Sequence, residues 1–157
     1  MMATSDPTQQ PAADGTGQDV VAALADGSLL GTGAGNRPRC IETHCSLVFL
    51  TETRAFKLKK PISFSYLDYA SIEARERCIK AELELNRRTA PQLYLRCHKI
   101  IRHPGGALTL ATPEDPAAAL DWLLEMQRFP DDALLADWAR QDRLTPALMR
   151  DLADAIH

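Results

Sequence analysis

The 157 residues carry 18 basic and 21 acidic side chains, for a net charge of −3, and that balance excludes the broad basic face of a typical nucleic-acid binder. Hydrophobic residues make up 45 % and charged residues 25 % of the chain, the composition of one ordinary globular domain. No apolar run approaches the roughly 18 residues that a membrane span needs, so neither nucleic acid nor membrane is expected as a partner.

Residues 1–16 are polar and rich in Pro, Gly, Ser and Thr, and such a segment buries too little apolar surface to offset its ordering entropy. A disordered tail is expected there. Residues 18–26 place Val20, Val21 and Leu24 on one helical face, with Gly27 suited to a C-terminal cap. Four of the eight glycines fall in residues 27–38, but Asn36 stands where a GxGxxG pattern needs glycine. A flexible linker is therefore expected rather than a phosphate loop.

Residues 44–60 predict a β-hairpin that turns at Thr51 to Arg54. Its second strand alternates, with Phe56 and Leu58 on one face and Ala55, Lys57 and Lys59 on the other. Pro61 ends that strand. Residues 62–70 read as a loop with three aromatics. Ser71 caps a helix that runs to about Arg88, with Ile72, Ile79, Leu83 and Leu85 supplying apolar contacts. Residues 93–111 predict two strands around a turn at His103 to Gly106. A further strand is expected over 119–128, and amphipathic helices over 131–140 and 145–157. Thr145 caps the last of these and Pro146 opens it. The sequence stops at His157 without a capping signal, so a truncated element is expected.

The cysteines are Cys40, Cys45, Cys78 and Cys97. No pair has CxxC spacing and no secretory leader is read, which predicts reduced thiols in a cytoplasmic protein. Cys40, His44 and Cys45 with Cys97 and His98 match no standard zinc spacing, and no metal site is expected.

Three features could carry chemistry. Ala55 and Lys57 share a strand face, so a small side chain leaves room for a flat base while an amine one pleat on reaches phosphate oxygens. The segment Arg54-Ala55-Phe56-Lys57 resembles the V-A-I-K strand of protein kinases. Lys59 lies on the same face and competes for that role, and a solvated edge strand with surface lysines is the plainer alternative. On the helix, Glu82, or Glu84 in its place, could hold such a lysine extended; a charged surface with i,i+4 pairs accounts for both as well. Thr43-His44-Cys45-Ser46 could offer small polar groups and free N–H groups to a phosphate. His44 as a general base lacks a Ser or Asp partner in the sequence.

The phrases ETHCSLVFL, AFKLKKPISFSYLDYASIEAR, CIKAELELNRR and APQLYL occur in that order. Together they resemble the aminoglycoside phosphotransferase-like kinases, in particular the bacterial group in which that domain is often fused to a P-loop ATPase. The resemblance covers about residues 17–157. It implies an α+β fold: a kinase-like small lobe over 17–128, with an antiparallel sheet and one long helix, then the first helices of a truncated large lobe over 129–157. It implies that ATP is bound, with Lys57 on the phosphates, Glu82 paired to Lys57, Ala55 beside the base and Ser46 in the phosphate-covering loop. Trp122 to Pro130 would be the last strand and hinge, with backbone near Glu125 and Met126 meeting adenine. The implied activity is transfer of the ATP γ-phosphoryl group to a small hydroxyl compound.

Such kinases also need a catalytic-loop Asp, an Asn that binds magnesium and a second metal-binding Asp. The chain has two asparagines, Asn36 in the glycine-rich stretch and Asn86 in the glutamate helix. No histidine is followed by a Gly-Asp or Arg-Asp pair, and no GxxxxGK[ST] occurs. The expectation is thus a nucleotide-contacting part without turnover. The alternative is a non-catalytic interaction module or truncated gene product, with self-association or a P-loop ATPase domain as its partner.

Overall fold

The computed structural model describes residues 15–33 and 35–156. The expected tail lies outside these residues as far as residue 14, as does the stop at His157. The fold is α+β. Six strands form one antiparallel sheet: β1 (Arg39–Glu42), β2 (Ser46–Leu50), β3 (Arg54–Lys59), β6 (Tyr94–Arg102), β7 (Leu108–Ala111) and β8 (Asp121–Gln127). Their spatial order is β1-β2-β3-β8-β6-β7. The last strand in sequence therefore enters the middle, and β3 has a neighbour on each side. That position overturns the solvated edge strand considered for its lysines.

Helix α1 (Gly15–Ala25) covers one face. Val20 and Leu24 pack there with Phe49, Phe56, Leu58, Ile100 and Leu123. Helix α2 (Ile72–Arg87) covers part of the other, where Ile79 meets Cys97, Trp122 and Leu124. Each fully buried aliphatic side chain contributes about 1.5–3 kcal/mol. The strand alternation read from the sequence sorts these two cores correctly: Phe56 and Leu58 go to the α1 side, Ala55, Lys57 and Lys59 to the α2 side.

Several expectations need correction. Residues 27–38 are not a bare linker. Leu29 is buried in the α1 core, and the Leu29 and Leu30 N–H groups close turns onto Ala23 and Gly27. Gly27 has φ +84°, and a Cβ there would lie 2.0 Å from Thr32 Oγ1, so both conformation and space require glycine. Strand β1 was not foreseen; it adds an outer partner to β2. The aromatic loop contains a two-stranded hairpin, β4 (Ser63–Phe64) with β5 (Leu67–Asp68). Leu85 points to solvent, because it lies off the helix face that holds Ile79. The helix expected over 131–140 is broken: a single 3-10 turn at Asp131–Ala133, extended backbone at Leu134, then α3 (Leu135–Arg140). Helix α4 (Pro146–Ile156) starts as expected, with Thr145 Oγ1 accepting from the Leu148 N–H at 3.2 Å. Among the described residues, no helix is long and apolar enough to cross a membrane.

Candidate functional site

Directly opposed residues in an antiparallel pair share a face. Ser46, Val48 and Leu50 of β2 stand opposite Lys59, Lys57 and Ala55 of β3. Leu124 and Met126 of β8 flank Lys57 and Ala55 on the other side. Ile41 of β1 extends the same face past Val48. The result is a band of small and apolar side chains that ends in two amines.

Helix α2 brings the acid to those amines. Ser71 caps it, with Oγ accepting from the Ala74 N–H at 3.1 Å. One turn on, the buried Arg75 donates through Nε to Asp121 Oδ1 at 2.9 Å and through Nη1 to the Tyr69 and Ala70 carbonyls. This fastens the start of α2 to β8. Burial pushes the Asp121 carboxyl above its ordinary value, and the Arg75 guanidinium opposes that shift. Two turns separate Arg75 from Glu82, so both lie on the face that holds Ile79.

There Lys57 Nζ meets Glu82 Oε1 at 2.6 Å, and Lys59 Nζ meets Glu82 Oε2 at 2.7 Å. Both lysines that the sequence left as alternatives pair with Glu82. Burial pushes the Glu82 carboxyl up, but the hydrogen bonds and charges of Lys57 and Lys59 outweigh it, so its pKa is lowered from the ordinary glutamate value. Two amines on one carboxylate leave a net positive charge. Lys59 also lies over the Tyr69 ring, 5.2 Å from its centroid. Glu84 faces solvent and takes no part.

The loop between β1 and β2 lines the same cleft as the amines. Thr43 Oγ1 accepts from the Ser46 N–H at 3.0 Å, and the Thr43 N–H donates to the Ser46 carbonyl at 2.9 Å. His44 and Cys45 form its tip. Lys60 anchors the loop, pairing with Glu42 and donating to the Thr43 carbonyl at 2.7 Å. The His44 ring stacks on Phe64 at 4.8 Å, and Phe64 stacks on Tyr66 at 5.6 Å. Ser46, expected in a covering loop, is instead the buried first residue of β2, where it lines the cleft wall with its N–H committed to Thr43. Among the described residues, the main-chain N–H groups of His44 and Cys45 donate to no protein acceptor.

These elements enclose a cleft of about 670 Å³. Ile41, Val48, Ala55, Met126 and Phe129 make one end apolar; Lys57, Lys59 and the loop tip make the other polar. Asp131 stands at the mouth, 3.0 Å from Arg39 and 3.2 Å from Arg128. Hydrogen bonds from Arg128, with the charges of both arginines, hold its carboxyl below the usual range.

The expectation for Glu125 needs correction. It stands between Phe56 and Arg96 in the ladder, so its main chain lies inside the sheet and its side chain turns to the α1 face. Its carboxylate contacts Arg54 at 3.1 Å, Arg96 at 3.2 Å and His98 at 2.7 Å. Met126 is likewise paired on both sides, with Ala55 and Tyr94, so its main chain also lies inside the sheet and it lines the cleft through its side chain. A second cleft of about 640 Å³ lies beyond the Asp131 network, but Arg54 on its wall is engaged with Glu125 and Gln127.

The sequence reading missed Ile41, Arg75, Phe129 and the Arg39–Asp131–Arg128 network. The spacing Arg75, Ile79, Glu82 on one helix face was the available signal for Arg75. Ile41 could have been found by pairing it with Val48 across a two-residue turn. Nothing local marks Arg39 or Asp131, which meet across 92 positions.

Magnesium does not fit the residues present. Among the described residues, no group of three or more His, Cys, Asp or Glu could hold a metal ion. Asn86 donates to the Glu82 carbonyl within α2, and Asp131 is engaged by two arginines.

The chain is 43 % identical over 65 residues to an uncharacterized protein of Mycobacterium bovis and to uncharacterized proteins of two strains of Mycobacterium tuberculosis. The matched stretch is 41 % of this chain and 13 % of each relative, so the chain spans a small fraction of the curated relatives it matches. No protein family description matches the chain. No solved structure matches it either.

Proposed function

We propose that this chain is the nucleotide-holding small lobe of a kinase-like phosphotransferase of the aminoglycoside phosphotransferase type. The observation that carries the reading is the Lys57–Glu82 contact at 2.6 Å between a central strand and the long helix, at the inner end of a cleft whose outer end is apolar. The apolar end, floored by Ala55 and Met126, has the character of a purine slot. The amines and the free N–H groups of His44 and Cys45 suit a polyphosphate tail. The parent activity is γ-phosphoryl transfer from ATP to a small hydroxyl compound. This chain supplies nucleotide contacts and not the catalytic or metal-binding residues, so it binds without turnover, since positioning and charge stabilisation at the transferred group are both lacking. The proposed setting is cytoplasmic, where the four unpaired thiols stay reduced.

The test is calorimetric titration of the purified chain with ATP. Measurable binding that Lys57→Met weakens at least about tenfold is expected, the worth of a charge-assisted contact of 1.5–3 kcal/mol. No heat of binding, or binding indifferent to Lys57, refutes the reading.

A specific observation favours a second reading, a non-catalytic interaction module. Helices α3 and α4 contain no buried residue, and Leu134, Leu135, Met149 and Ile156 are exposed. A defined dimer in sedimentation, together with no nucleotide binding, selects that reading.

A further inference from the structure

Lys57 and Lys59 reach the same carboxylate from the same strand, but their surroundings differ. The Lys59 side chain is 7 % exposed and that of Lys57 is 26 % exposed. Lys59 is also shielded by the Tyr69 ring, whereas Lys57 sits farther out along the cleft, between Val48 and Leu124. A lysine amine is a compact charge on a flexible stem with three N–H donors. It can leave one acceptor for another where space allows, and of the two lysines lining the cleft Lys57 has more of that space.

The difficulty with such a move is the acid left behind. A buried carboxylate that loses its only cation is strongly destabilised. Glu82 avoids this, because its second oxygen is held independently by Lys59.

We infer that Lys59 is a positioning residue that keeps Glu82 paired in every state of the cleft, leaving Lys57 free to turn its amine to a bound phosphate. The inference rests on the nucleotide reading for the role of Lys57, and on geometry alone for the role of Lys59. The competing arrangement has Lys59 touching the phosphate itself.

Two measurements on the whole chain separate these. In ATP titrations, Lys59→Met weakens binding by about three- to tenfold in the native background, a coupling of ordinary size for neighbouring groups. In a Glu82→Gln background the same substitution adds nothing, because Lys59 acts only through Glu82. An equal loss in both backgrounds assigns Lys59 to the phosphate and overturns the inference. In thermal melts without nucleotide, Lys59→Met lowers Tm more than Lys57→Met, and adding Glu82→Gln to Lys59→Met recovers part of the loss. Should Lys59→Met fail to fold, folding of the double variant Lys59→Met/Glu82→Gln gives the same answer. A larger drop for Lys57→Met, or no recovery, overturns the hold of Lys59 on Glu82. If the native chain binds no ATP, the nucleotide reading falls and the phosphate role of Lys57 with it, while the melts still decide what Lys59 does.

Discussion

The sheet carries a carboxylate among cations on each of its faces, and the two are built differently. Glu82 on the α2 side meets two lysines; Glu125 on the α1 side meets two arginines and a histidine. Arginine presents a planar fork that fixes a carboxylate in place, whereas lysine is a movable point charge. The Glu82 group opens into a cleft through Lys57. Glu125 lines neither cleft. Clustered charge alone therefore does not single out the candidate site: the difference is a movable cation beside open, half-apolar space.

The largest expected effect comes from a third pair, which holds the first group in position. Arg75→Met leaves Asp121 buried without its cation. Loss of one partner of a buried pair costs about 3 kcal/mol or more, which is a Tm drop of roughly 6–12 °C for a chain of this size. Because Arg75 fastens α2, the proposed ATP binding is expected to weaken as well. A melt within 2 °C of the native chain would show that α2 is held by its apolar face alone.

The next pair of variants tests the comparison itself. Glu125→Gln is expected to cost about 1–2 kcal/mol, since hydrogen bonds to charged groups are lost, and to leave ATP affinity unchanged. Glu82→Gln is expected to weaken ATP binding and to alter the acid limb of the stability curve. The folded pKa of Glu82 is depressed, so its ionised form stabilises the fold above about pH 4.5, and that contribution is lost as pH falls through the lowered value. Asp121, with its raised pKa, acts in the opposite sense: its ionisation costs stability, and acid relieves that cost. Denaturant melts from pH 3 to 7 should therefore be flatter below pH 4.5 for Glu82→Gln than for the native chain. An identical acid limb removes the assigned role of the lysines in holding Glu82 ionised.

The smallest effect is at the loop tip. His44→Ala removes a ring stacked on Phe64, an interaction worth about 0.5 kcal/mol. A two- to threefold loss of ATP affinity is expected, with Tm lowered by only about 1–2 °C. A tenfold loss would make the imidazole a direct ligand rather than a prop.

Much of this arrangement was legible in the sequence, for local reasons. The alternation from Ala55 to Lys59 fixed which side chains share a face. Ser71 marked the start of α2, and the resemblance to kinases paired Lys57 with Glu82. What was not legible depends on contacts between distant segments. Strand order put β8 beside β3, and only that turns a lysine strand with the look of a surface element into a central one. Glu125 could not be sorted from Met126 without the register, because adjacent residues of one strand serve opposite faces. The hairpin over Ser63–Asp68 was hidden by its length, since two-residue strands show no period.

The central place of β3 has a consequence for the durability of the site. Its register is specified twice, by Val48 opposite Lys57 in β2 and by Leu124 opposite Lys57 in β8. Sliding the strand by a single residue would carry Phe56 and Leu58 into the cleft and drive both amines into the greasy layer beneath α1. The spacing of the two cations is thus indexed by the ladder rather than by either side chain, and it survives until the sheet itself comes apart.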